Sequence, residues 1–310
     1  MTKYPFMNYV NEYMKRMKGV YVPITWNTVM RRYHRVNADV LSLYRDGKLS
    51  STSPKNMTVD DIREYLTYRR SFDYSGKEYS HDESALKKLF EYAKNTAVKD
   101  CLINYPMLKA RKKQPRLPPM DDSTYQKILR NANSINQKDH KKVRAYALVL
   151  LAIRAGTRTK EIRLASIDDL DTTRWMFDVI HVKGETTYGE PRTVPVHPEI
   201  RSILTSYLQA REKYVMMNNL NTKVLFPSPT SKDDYMSENS LRRIKQIVED
   251  DIGEKFDFRK LRRTFGQQLV DAGVDIESVS VAMGHACTVT TERSYARKRS
   301  ETANAKIMGS

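Results

Sequence analysis

Between Pro23 and Gly47 the apolar side chains Val29, Tyr33, Val36, Val40 and Leu43 recur at steps of three and four. That spacing predicts one helix over 23–46 with a single buried stripe. A proline at its start and a glycine past its end are the expected punctuation. Arg31, Arg32 and Arg35 fall on another face of the same helix. Thr58-Val59-Asp60-Asp61 opens a second helix, with the threonine as N-cap. Two more helices are expected over 81–97 and 98–110, so the first part of the chain reads as all helical.

Beyond residue 120 the pattern is mixed. An apolar helix over 141–155 contains the run Ala145–Ile153 and stops at Gly156, and a new helix starts at Thr157. Met176–Val182 alternates with a period of two, Gly184–Pro191 has the composition of a turn, and Arg192–Val196 is the returning strand. Helices follow over 198–214, 237–250, 257–272, 276–283 and 288–297. The expected fold class is mainly α with a small antiparallel sheet, an all-α N-terminal domain preceding an α+β domain. The apolar run is far shorter than the roughly 20 residues needed to span a bilayer. The opening Met1-Thr2-Lys3-Tyr4-Pro5 lacks the apolar stretch of a signal peptide, so no membrane partner is expected.

The clearest break is Arg111-Lys112-Lys113-Gln114-Pro115-Arg116-Leu117-Pro118-Pro119, which no helix interior tolerates. It is expected to be a basic, extended linker over 111–120, joining a helical domain (1–110) to a larger one (121–310). The net charge is +17, which points to a polyanion, nucleic acid first. Residues 1–120 hold 23 basic and 12 acidic side chains, so the smaller part is the more basic. That suits a clamp on a DNA backbone, with Arg31, Arg32 and Arg35 as candidate phosphate contacts. The two cysteines, Cys101 and Cys287, form neither a disulfide framework nor a zinc spacing. Their use fits a reducing cytoplasm.

Five places carry candidate chemistry. In the helix over 257–272, Phe258, Leu261, Phe265 and Leu269 form the buried stripe, while Arg259 and Arg262 share another face with Arg263 nearby. Two guanidiniums on one face repel unless an anion lies between them, and the planar fork of arginine matches phosphate oxygens. In Gly156-Thr157-Arg158-Thr159-Lys160-Glu161, the threonine can cap the next helix, Arg158 then sits in its first turn, and Glu161 can orient it. Lys183 ends the first strand of the hairpin, where a desolvated lysine can serve as a general acid. Met283-Gly284-His285 ends a helix and leaves the imidazole on a loop. Tyr295 lies between Arg293 and Arg297, a basic setting that favours a phenolate. Each taken alone reads as readily as surface or core.

Their order is more telling. The segments GTRTKEI, HVKGE followed by RTVPV, RKLRRTFG, MGH and TTERSY succeed one another at spacings that resemble the tyrosine recombinase, or phage integrase, family over roughly 120–297. That family's pattern is an arginine in G-x-R-x-x-E, a lysine on a β-hairpin, H-x-x-R, G-H, and a tyrosine about ten residues on. The N-terminal part is similar only in its helical, basic character to the family's core-binding domain. One departure stands out: Arg259 occupies the position that is usually histidine. An arginine, with a pKa above about 12, cannot act as a general base.

The resemblance implies a site-specific DNA recombinase, most simply one serving a mobile element. Tyr295 would attack a scissile phosphodiester to form a 3′-phosphotyrosine. Arg158, Arg262 and Arg259 would stabilise the charge, Lys183 would protonate the leaving 5′-oxygen, and His285 would hydrogen-bond the phosphate. Proton removal from Tyr295 would fall to His285, to water or to no single group. The resemblance implies no metal and no other cofactor. It also implies double-stranded DNA held in a C-shaped clamp, a monomer when free, and a homotetramer on two duplexes in the nucleoid. The alternatives are Xer-type dimer resolution, relaxation of DNA as by a type IB topoisomerase, and a catalytically inactive DNA-binding regulator. A basic helical module without enzyme ancestry would leave the ordered motifs unexplained.

Overall fold

The computed structural model describes residues 5–72, 77–110, 117–182, 190–228, 231, 233–285, 287–292 and 308. The chain divides into two compact units, Met1–Pro115 and Arg116–Ser310.

The first unit is helical, with α1 (Pro5–Arg16), α2 (Pro23–Arg45), α3 (Val59–Phe72), α4 (Lys77–Tyr92) and α5 (Ala97–Asn104). The stripe read along α2 is its inner face: Tyr33, Val36, Val40 and Leu43 are buried. The helix ends at Gly47, whose φ of +70° suits a residue without Cβ. Thr58 caps α3 as expected, its hydroxyl accepting from the Asp61 amide at 3.2 Å while the Asp61 carboxylate accepts from the Thr58 amide at 2.8 Å. The helix α1 was not expected from sequence. The helices expected over 81–97 and 98–110 are displaced, because the chain breaks at Lys94, which has φ +57°. The Asn95 side chain then bonds to the segment before α3: its amide donates to the carbonyls of Pro54 and Met57, both at 2.8 Å, and its oxygen accepts from the Ala97 amide at 2.8 Å. An asparagine bonded this way competes with the helix and starts a new one. Pro106 follows α5 and opens a single 3₁₀ turn in place of further α-helix.

Two of the arginines proposed from sequence to contact DNA are tied down within this unit. Asp82 of α4 is fully buried and receives Arg32 at 3.3 Å, Arg35, and Arg69 of α3 at 3.1 Å. One carboxylate thus pins three helices. Arg31 remains solvent-exposed, its Nε on the Asn27 carbonyl at 3.3 Å. Replacing Asp82 with alanine leaves the three guanidiniums with only the peripheral carboxylates Glu78 and Asp39. The expected cost to the first unit is about 3 kcal/mol, read as a lower denaturation midpoint of the helical signal.

The second unit is built around α7 (His140–Arg154), which packs against α6 (Asp122–Ser134), α9 (Arg201–Met217), α10 (Glu238–Ile252) and α11 (Phe258–Asp271). Every residue from Ala145 to Ile153 is buried. A helix apolar on all sides is a central one, which explains why its sequence shows a run and not a stripe. Asp139 caps it, accepting from the Lys142 amide at 3.1 Å. The short α8 (Thr159–Leu164) follows. An antiparallel sheet of β1 (Leu170–Asp171), β2 (Met176–Val179) and β3 (Arg192–Pro195) comes next, so the expected hairpin gains a third strand. In register, Phe177 faces Leu170 on one side and Val194 on the other. The last named helix, α12 (Ile276–Met283), closes at Gly284, and residues 288–292 are again helical. Among the described residues no helix is long and apolar enough to cross a membrane.

Candidate active site

The site is assembled where the ends of α7 and α12 approach α8, α11 and β3. Gly156 follows α7 with φ +58°, and a Cβ there would lie 2.3 Å from the Phe265 ring of α11. Only glycine lets the two helices come this close. Arg158, not Thr157, takes the N-cap position of α8, with φ −79° and ψ 159°. This corrects the expectation that Thr157 caps and Arg158 sits inside the first turn. The cause is Glu161, which accepts from the Arg158 amide at 2.8 Å and from its Nη1 at 2.6 Å. The glutamate therefore sets both the backbone and the side chain of Arg158.

Glu161 is 1% exposed and is also met by Arg192 Nη2 at 3.0 Å and Arg262 Nη1 at 3.9 Å. Burial pushes its carboxyl pKa up, but the charge of Arg192 and hydrogen bonds from Arg192 and Arg158 outweigh this and hold it below the ordinary range. The remaining compensation comes from backbone. Arg262 donates to the Gly156 carbonyl at 2.6 Å and to that of Met283. Arg192 Nε donates to Ala282 O at 2.8 Å and Arg158 Nη2 to Gly284 O at 3.3 Å. Three guanidiniums thus share the last turn of α12, where unpaired carbonyls and the helix dipole favour cations. Against one carboxylate they leave positive charge to spare, which is the basis of an anion site.

His285 enters from the same turn. Its amide donates to the Ser280 carbonyl at 3.0 Å, and its Nδ1 lies 2.7 Å from the hydroxyl of the buried Thr291. Burial, then the charges of Arg262, Arg158 and Arg192, lower its pKa from 6.5 to about 4. The imidazole is neutral at neutral pH. In a pH titration by NMR, its ring protons should move near pH 4 in the DNA-free chain. The sign for stability follows: between pH 6.5 and 4 the unfolded chain takes up a proton that the folded chain refuses. Stability should fall across that window and level off below it.

The phage integrase family model matches residues 119–302, more than half of the chain. The chain belongs to the phage integrase family. Among its relatives in this tyrosine recombinase family, "Tyrosine recombinase XerA" of Pyrococcus furiosus is 24% identical over 237 residues, 76% of this chain and 75% of the relative. "Tyrosine recombinase XerD" of Rickettsia bellii is 22% identical over 262 residues, 82% and 84% of the two. The fold is similar to that of the XerH site-specific recombinase bound to a palindromic difH substrate in a post-cleavage complex. There the TM-score is 0.69 and the identity 19%, over 98% of this chain and 90% of that one. It is also similar to the Tn1549 transposon integrase in complex with a circular intermediate DNA, with TM-score 0.64 and 17% identity over 95% and 99%.

Of the residues that the motifs single out in this integrase-family chain, Arg158, Arg262 and His285 stand together. Arg259 is bound elsewhere. Its guanidinium is 71% exposed and held by the carboxylate of Asp257, the N-cap of α11, at 2.9 and 3.1 Å. Lys183 and Tyr295 lie outside the described residues. Arg192 was not singled out, although a signal was present. In β3 the inward positions alternate, and Arg192 shares the buried face with Val194 and Val196. A charged residue at an inward strand position calls for a buried partner.

Proposed function

We propose that the chain is a site-specific recombinase that cleaves and rejoins duplex DNA through a 3′-phosphotyrosine at Tyr295, for integration and excision of a mobile element. The observation that supports this best is the convergence of Arg158, Arg262 and a neutral His285 on one braced, positively charged turn. Tyr295 follows His285 by ten residues in sequence. The tyrosine oxygen gives up its proton, to water or to His285, and attacks phosphorus, and the bond to the 5′-oxygen breaks as that oxygen takes a proton from Lys183. The ester is exchanged, not hydrolysed, so the reverse step reseals the strand without ATP. Arg158 and Arg262 face the non-bridging oxygens, where charge grows in the transition state. His285 hydrogen-bonds one of them. Arg259 would join Arg158 and Arg262 at the phosphate only by leaving the Asp257 carboxylate. Residues 1–110 form a DNA-binding domain in which Arg31 contacts the backbone, with Arg32 and Arg35 at its edge. Residues 111–120 link it to a catalytic domain over 121–310. The free chain is a monomer, and four protomers assemble on two duplexes in the nucleoid.

A nicked suicide duplex carrying the chain's own site tests the reading. Cleavage releases a short strand that cannot return, and a protein–DNA adduct should accumulate on a denaturing gel. Intact DNA throughout would refute it. A second reading, Xer-type dimer resolution, is favoured by the relatives named Xer. Mapping the cleaved sequence to a chromosomal locus or to an element's ends separates the two.

A further inference from the structure

Arg192 opens β3 with a side chain only 4% exposed. A guanidinium this deep is expensive to desolvate, and it stays only because its partners compensate it. Its contacts reach three separate elements. Nη2 meets Glu161 at 3.0 Å and the Gly156 carbonyl at 3.5 Å, while Nε donates to Ala282 at 2.8 Å. Its Nη1 is buried without a hydrogen-bond partner among the described residues. Gly284 is fitted against it: a Cβ there would lie 3.0 Å from Nη1 and 3.2 Å from Cδ. Removing Arg192 would still leave Glu161 with Arg158 at 2.6 Å, so the carboxylate is not orphaned. The fold does not require this arginine for charge balance.

We infer that Arg192 is a positioning residue for cleavage: it fixes Glu161, and with it Arg158, and locks the turn that carries His285 onto β3. Glu161 held from one side alone can swing with Arg158. Held between two arginines, it cannot. The same guanidinium fastens α12 to β3, so Arg158 and the turn that carries His285 are held to one strand. This rests on the DNA-cleaving reading above.

The test uses the full chain and the suicide duplex in single turnover. Arg192→Met should fold, because Glu161 keeps Arg158, with a melting temperature below that of the wild type, and should bind the duplex as tightly. Its adduct should form about 10²-fold more slowly, the cost of a misplaced group. A neutral methylphosphonate at the scissile position needs less help from Arg158, so on that substrate the gap to the wild type should narrow. Should Arg192→Met not fold, Arg192→Lys keeps the charge but not three separate contacts, and should show a smaller rate loss with the same narrowing. An Arg192→Met or Arg192→Lys rate equal to the wild type, or an equal gap on both substrates, would overturn the inference alone. A wild-type chain that forms no adduct would overturn the reading and the inference together.

Discussion

Tyr295→Phe should abolish the covalent adduct on the suicide duplex while leaving DNA binding intact. Phenylalanine fills the same space and lacks only the oxygen that would join phosphorus, so no slower version of the same reaction remains. The expected loss reaches the detection limit of the gel, whereas loss of one charge-stabilising donor costs roughly 10²–10³-fold. That contrast separates the nucleophile from the groups around it. An adduct that persists in Tyr295→Phe would place the nucleophile on another of the 19 tyrosines or on a different residue type. Mass spectrometry of the trapped peptide would then locate it.

The candidate site was partly legible in the sequence because its parts obey local rules. The glycine ending α7 and the glycine ending α12 mark two helix termini. Each is followed within two residues by a group that donates hydrogen bonds. The i,i+3 pair of Arg158 and Glu161 is local as well, and the contact is there at 2.6 Å. What local rules could not supply is depth. Arg259 and Arg262 share a helix face in the sequence pattern, yet Arg262 is 11% exposed and Arg259 71%. Asp257 caps α11 and keeps Arg259 beside it. The N-terminal arginines failed to show their partners for a similar reason. Asp82 lies 47 residues beyond Arg35, and only the packing of α4 on α2 joins them. The helix break at Asn95 depends on carbonyls about 40 residues earlier, which no window along the chain contains.

One electrostatic arrangement accounts for these site features together. The buried Glu161 carboxylate alone cannot neutralise Arg158, Arg192 and Arg262, and the free carbonyls of the α7 and α12 ends share the rest. Dipoles of fixed geometry cost no reorganisation when charge develops on a bound phosphate. Burial and the same positive field keep His285 neutral, and a neutral imidazole still has one ring N–H to donate to an anion. In place of the family's usual histidine at position 259, this chain has an arginine occupied by Asp257.

Gly156→Ala should be the most damaging conservative change in the second unit. The residue sits at φ +58°, where an L side chain costs about 1–2 kcal/mol. Its new methyl would also meet the Phe265 ring at 2.3 Å, and overpacking of this kind costs roughly 1–3 kcal/mol. Phe265 is 6% exposed, so it cannot swing into solvent; α11 must move instead. That helix carries Arg262, which donates to the carbonyl of Gly156 itself at 2.6 Å. A shift there therefore disturbs the anchor and the guanidinium together. The expected outcome is a loss of about 3 kcal/mol in denaturant unfolding and a fall of roughly 10²-fold in single-turnover cleavage. Replacing Phe265 with leucine in the same chain removes the ring edge and should restore part of the stability. A Gly156→Ala chain as stable as the wild type would show that α7 and α11 are not held this closely.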